Sequence, residues 1–237
     1  MKNAIVLCSG GLDSVVVSHY VKKKLKYGKF IFLFFDYGQR TLNEERKCVK
    51  NCARLLNGEF MEIKLKWLRE ISKSLITGNK KIDEVKIKDL KISKGESDKY
   101  YVPSRNAIFI NYSIALSESK YLIDKEVFDI FVGFCNEGVE SYPDTTVEFV
   151  DEMNKLMKLN KLKGKVIAPL INKQKEDVVD IGGKLGVDFR DTFSCYAGNK
   201  VHCGVCLACR FRQEAFYWAN VKDPSKYNKK MEDFRVA

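Results

Sequence analysis

The chain has 237 residues, 45% of them hydrophobic, and a formal net charge of +11; that length and apolar content can close a substantial core, which sets aside a disordered chain. No run approaches the ~20 apolar residues that span a bilayer, and Gly10 and Asp13 cut short the apolar N-terminal run, so a cytoplasmic protein without membrane span or secretory signal is expected. The positive charge favours an anionic partner such as a nucleotide, but the lysines are interspersed with acids, notably between Lys64 and Lys99, which reads as solvated surface and makes nucleic acid a poor partner.

Short apolar runs at Ala4–Cys8, Phe30–Phe35 and Phe128–Phe134 read as parallel strands covered on both faces. Segments of helical length separate them, at Ser14–Lys26, Leu42–Leu56 and Asn106–Lys120, and Asn43, Glu44 and Glu45 suit a helix start. Strands alternating with helices predict an α/β fold with an open, doubly wound parallel sheet, whose ligands sit beyond the carboxyl ends of the strands. We expect a nucleotide-binding α/β domain over residues 1–188, with a mobile charged insertion at about 74–97, and a four-cysteine element with a C-terminal helix over 189–237.

The first strand runs into Ser9-Gly10-Gly11-Leu12-Asp13-Ser14 and then a helix. Paired glycines let the backbone turn with positive φ, so that successive amides converge on an anion at a helix start, and the two serines offer hydroxyl donors. The lysine of a Walker loop is missing. Asp13 suits either a nearby cation or a helix cap.

Eight cysteines in a reducing compartment read as thiols or metal ligands. Cys195, Cys203, Cys206 and Cys209 lie within fifteen residues and suit a closed structural zinc site, although an iron–sulfur cluster also takes four cysteines and a redox CxxC pair would leave two thiols over. His202 is surplus to such a site and is expected to face solvent, while Cys8, Cys48, Cys52 and Cys135 are expected as small buried side chains.

SGGLDS resembles the pyrophosphate loop of the N-type ATP pyrophosphatases, which adenylate a substrate and release pyrophosphate. With DYGQR (Asp36–Arg40), YVPSRN (Tyr101–Asn106), YPD (Tyr142–Asp144), APLI (Ala168–Ile171) and the cysteine cluster, the chain resembles the 7-cyano-7-deazaguanine synthases over nearly its whole length. That resemblance implies ATP, Mg2+ and structural zinc, a homodimer, and conversion of 7-carboxy-7-deazaguanine and ammonia to the nitrile through adenylated intermediates. It implies that Ser9 to Ser14 hold ATP and that Arg40, Arg105 and Lys175 stabilise developing charge. Asn106, Tyr142 and Asp144 would then meet the purine-like ring, unless Asn106 caps its own helix and Asp144 caps a helix over Thr146–Leu159. The chain departs from the family at Ser104, where a glycine is usual, and at Thr145-Thr146, where a Cys-Arg pair is usual. Those departures keep two alternatives in view: a diverged relative that joins the carboxylate as an amide to a protein or other amine, and a tRNA-modifying adenylating enzyme.

Overall fold

The computed structural model describes residues 2–87, 90, 97–136, 142–229 and 234. Five strands form one parallel sheet: β1 (Asn3–Leu7), β2 (Phe30–Asp36), β3 (Glu59–Lys64), β4 (Phe128–Phe131) and β5 (Val166–Ile167), in the order β3-β2-β1-β4-β5. Between them run α1 (Leu12–Lys23), α2 (Leu42–Leu55), the short α3 (Trp67–Glu70), α4 (Arg105–Asp124) and α5 (Val147–Leu159), with α6 (Lys175–Lys184) and α7 (Leu207–Trp218) after β5.

The strand sequences explain the two-sided burial. Side chains alternate faces along a strand, so Phe30, Phe32 and Phe34 of β2 enter one core while Ile31, Leu33 and Phe35 enter the other. The first core receives Val15, Val16 and Val17 of α1, Val49 and Ala53 of α2, Val178 and Val179 of α6, and Phe216 of α7. The second receives Leu68 of α3, Ile110 and Ile114 of α4, and Val150 and Met157 of α5. Because α7 shares the first core with the sheet, the C-terminal cysteine element is packed directly onto the α/β layer.

Of the charged stretch expected as a mobile insertion, residues 88, 89 and 91–96 lie outside the described residues. Its described part is anchored: Ile76, Val85 and Ile87 are buried, and the Val85 amide donates to the Val205 carbonyl at 2.8 Å. No helix among the described residues is long and apolar enough to cross a membrane.

Candidate active site

The strand order reverses between β1 and β4, each of which sends its chain to an opposite side of the sheet. At such a switch point the loops leaving the strand ends part and open a crevice. A cavity of 280 Å³ lies there, lined by the loop after β1, the Tyr37–Glu45 stretch, the start of α4, the chain leaving β4 and the segment before the cysteine cluster.

Gly10 turns the loop with φ of 78°, and a Cβ placed on it would stand 2.6 Å from the Glu45 carbonyl oxygen. Gly11 is the N-cap of α1 and supplies no side-chain cap, so the first-turn amides keep the unpaired donors of a helix start. Gly133, after β4, approaches the same turn; a Cβ there would sit 2.9 Å from the Ser14 amide nitrogen. The serines brace the turn. Ser14 Oγ accepts from the Ser9 amide at 3.2 Å and donates to the Gly11 carbonyl at 3.1 Å, while Ser9 Oγ accepts from the Gly11 amide at 3.3 Å. Leu12 is buried and lines the cavity floor with Cys8.

Asp13 does not cap α1. Its Oδ2 lies 3.2 Å from Lys175 Nζ, and its Oδ1 is buried without a hydrogen-bond partner among the described residues. Lys175 opens α6 behind a capping box in which Gln174 and Asp177 satisfy each other's backbone amides, so the ammonium is delivered from a fixed helix start rather than a solvated one.

Arg105 begins α4 and faces the cavity, its guanidinium 5.5 Å from the centre of the Tyr37 ring and its Nη1 donating to Tyr37 Oη at 3.3 Å. Burial pushes the Tyr37 phenol up to about 12, so it stays protonated. Asn106 does not cap α4, whose N-cap is Ser104; instead its backbone amide donates to Asp144 Oδ2 at 3.3 Å and its side-chain amide to the Asp144 carbonyl at 3.2 Å. Asp144 is buried and does not cap α5: Thr146 does, accepting from the Phe149 amide at 3.2 Å. Asn106, Tyr142 and Thr145 line the cavity; Asp144 does not, being held by Asn106. Tyr142 stacks on Tyr101 at 5.9 Å between ring centres and donates to the Ser97 carbonyl at 3.0 Å.

Arg40 is placed elsewhere. Its guanidinium donates to the Gly78 and Lys80 carbonyls, which ties down the charged stretch, and it is not among the residues lining the cavity. Glu45, whose place in the sequence marks only a helix start, does line the cavity. Its Oε2 accepts from Gln39 Nε2 at 2.9 Å and its Oε1 from Thr41 Oγ1 at 2.5 Å. Desolvation pushes its carboxyl up from the ordinary range against those donations and the charge of Arg105.

The four cluster cysteines converge, with all ligand atoms within 4.8 Å of one another. Amides aim at the sulfurs as they do around a bound cation: Ala197 and Cys203 donate to Cys195 Sγ at 3.3 Å each, and Cys206 donates to Cys203 Sγ at 3.3 Å. The other four cysteines are buried, as expected. His202 is not solvent-facing: it is 5% exposed, packed between Phe193 and Tyr227, and its Nε2 accepts from the Ser194 amide at 3.1 Å. One residue back, the Phe193 amide donates to the Gly10 carbonyl at 2.9 Å, so the cysteine element grips the glycine turn.

A family model described as queuosine biosynthesis protein QueC matches residues 3–220. The chain belongs to that family. Relatives of this QueC-family chain include the 7-cyano-7-deazaguanine synthase of Methanocaldococcus jannaschii, 36% identical over 235 residues, covering 94% of this chain and 98% of the relative. The synthases of Methanothermobacter thermautotrophicus, at 33% identity over 94% of this chain and 98% of theirs, and of Clostridium kluyveri, at 34% over 96% and 98%, are similar throughout. Among solved structures, NMN synthetase from Francisella tularensis aligns over 92% of this chain and 84% of its own, with a TM-score of 0.44 and 14% identity.

Proposed function

We propose that this QueC-family chain is an ATP-dependent ligase that converts 7-carboxy-7-deazaguanine and ammonia to 7-cyano-7-deazaguanine. The observation that carries the reading is the family match over residues 3–220 combined with a lysine-free glycine turn opening onto a cavity that Arg105 and Lys175 also line. A carboxylate has an impossible oxide leaving group. Transfer of AMP to it, with loss of pyrophosphate, makes the carbon electrophilic; ammonia then displaces AMP to give the amide. A second adenylation, on the amide oxygen, lets AMP leave again as the nitrile forms.

In this reading the residues position reactants and meet charge as it develops. The turn from Ser9 to Ser14 offers its amides to the departing pyrophosphate once the serine hydroxyls exchange their internal bonds for phosphate oxygens. Arg105, fixed over Tyr37, meets the α-phosphate or the carboxylate with a forked donor, and Lys175 meets the phosphates from the α6 side. Tyr142 and Asn106 border the place for the ring, and Asp144 orients Asn106. Asp13 Oδ1, buried and without a partner among the described residues, fits a hard cation, and a magnesium ion held there would supply charge neutralisation to the pyrophosphate.

The cysteine set fits zinc as a structural ion. Four sulfurs at about 2.3 Å from one tetrahedral ion stand ~3.8 Å apart, and Cys203 Sγ and Cys209 Sγ are 3.9 Å apart; an iron–sulfur cube spreads its ligands more widely. A cytoplasmic homodimer, with reduced thiols and free ammonia, completes the reading.

A second reading, amide formation with a protein or other amine, is favoured by one observation: Thr145, which together with Thr146 stands where the resemblance has a Cys-Arg pair, lines the cavity, and neither threonine carries a charge. Incubation with ATP, magnesium and 7-carboxy-7-deazaguanine, with and without ammonium, followed by mass analysis of the base, tests both. The synthase reading predicts ammonium-dependent nitrile. Arrest at the amide, or no product with ammonium, contradicts it.

A further inference from the structure

The reaction in the preceding reading, on which this inference rests, releases protons from nitrogen. Ammonium must become ammonia before it can attack, and the nitrogen that bonds to the acyl carbon must then shed a proton before AMP is fully displaced. An acceptor fixed in the cavity takes that proton without waiting on solvent. The pyrophosphate turn, Arg105 and Lys175 cannot serve, being donors and cations.

The groups around the cavity that carry or exchange charge are the cations Arg105 and Lys175, the carboxylates of Asp13 and Glu45, the phenols of Tyr37, Tyr142 and Tyr196, and the thiols of Cys8 and Cys135. Asp13 is ion-paired with Lys175 at 3.2 Å. Tyr37 is held protonated by burial. The Cys8 thiol is buried beneath the turn, donating to Ser14 Oγ at 3.7 Å and accepting from Ser18 Oγ at 3.9 Å.

Glu45 differs from all of these. It projects from the first part of α2, and its neighbours Gln39 and Thr41 are neutral donors that fix both carboxylate oxygens in place while leaving lone pairs on each. Its backbone carbonyl lies against Gly10, so the carboxylate is tied to the turn that, in this reading, grips the pyrophosphate.

We propose that Glu45 binds the incoming ammonium and accepts its proton, and accepts the further N–H proton as the amide forms. The ammonium proton passes to a Glu45 oxygen and on to solvent, which frees the carboxylate again; the nitrogen lone pair then closes on the acyl carbon, the carbon–oxygen bond to AMP breaks with its electron pair leaving on AMP, and the N–H proton passes to a Glu45 oxygen, which returns it to solvent. Burial, which already raises the affinity of this carboxyl for a proton, suits it to that exchange.

The test separates adenylation from amine transfer in the whole protein. Pyrophosphate exchange into ATP, dependent on 7-carboxy-7-deazaguanine, reads the first; amide plus nitrile from ammonium reads the second. Glu45→Gln should lower exchange no more than about threefold while lowering the ammonium-dependent step about a hundredfold near pH 7. Raising the pH to about 9, where free ammonia becomes plentiful, should restore about tenfold of that loss, and hydroxylamine, neutral near pH 7 and so needing only the second proton removed, should recover a similar part of it as hydroxamate. Glu45→Asp, with a shortened acid, should fall between the two in the ammonium step at unchanged exchange.

Equal loss of exchange and amine transfer in both variants would overturn the proposal, since Glu45 would then be serving nucleotide binding or the architecture of the turn. Unaltered amide formation by Glu45→Gln would overturn it as well. Wild-type protein without substrate-dependent exchange would remove the functional reading and this role with it, and that failure is visible before any variant is made.

Discussion

Ser104 carries the bend into α4 at φ 52° and ψ 20°, the left-handed region in which an L side chain costs about 1 kcal/mol or more. Its side chain gives no cap hydrogen bond in return, and the position is exposed. The glycine usual in the family is thus the residue that this backbone prefers, and the departure concerns conformation rather than chemistry. Ser104→Gly is predicted to raise the unfolding free energy by about 0.5–1 kcal/mol, net of the freedom glycine adds to the unfolded chain. The urea midpoint measures it, and a lower midpoint would contradict the account. At this scale the sequence was legible wherever function is contiguous: the glycine turn and the four cysteines are each within one short stretch. It was illegible where a partner lies far along the chain. Nothing near Asp144 announces that the Asn106 amide will hold it, nothing near Arg40 points to the carbonyls of Gly78 and Lys80, and the burial of His202 depends on Phe193 and Tyr227 closing around it.

Among the elements, β1, β2 and β4 could be read from their apolar runs because parallel strands are buried on both faces. β3 could not: its sequence EFMEIK breaks up the apolar residues with two glutamates and a lysine, as suits an edge strand, and among the described residues it pairs with β2 alone. β5 has two residues, too few to show a period. The element with most consequence for the site is the segment between the end of α6 and α7, where Phe193 bonds the Gly10 carbonyl two residues before Cys195. A metal ion held by the cysteines would therefore also fix the shape of the turn. Stripping the metal with a chelator is predicted to lower the melting temperature and to weaken ATP binding about tenfold, a coupling of ordinary size between adjoining sites. Titration calorimetry before and after chelation checks this. ATP affinity unchanged in metal-free protein that remains folded would contradict it.

Over the whole molecule, the sheet order β3-β2-β1-β4-β5 puts a switch point at the ends of β1 and β4, and the two cores hold the helices from which Asp13, Arg105 and Lys175 reach a common cavity. The fold class followed from strand and helix alternation, whereas the placement of Glu45 in one cavity with Arg105 and Lys175 needed the assembled crevice. The central claim is that the turn grips departing pyrophosphate while a carboxylate oxygen is joined to the α-phosphorus. Its most direct test is a turnover with ATP and ammonium in which the 7-carboxy-7-deazaguanine carries a heavy oxygen isotope in its carboxylate. The account predicts the label in the phosphate of AMP, with unlabelled pyrophosphate. Label in orthophosphate, released alongside ADP, would contradict it.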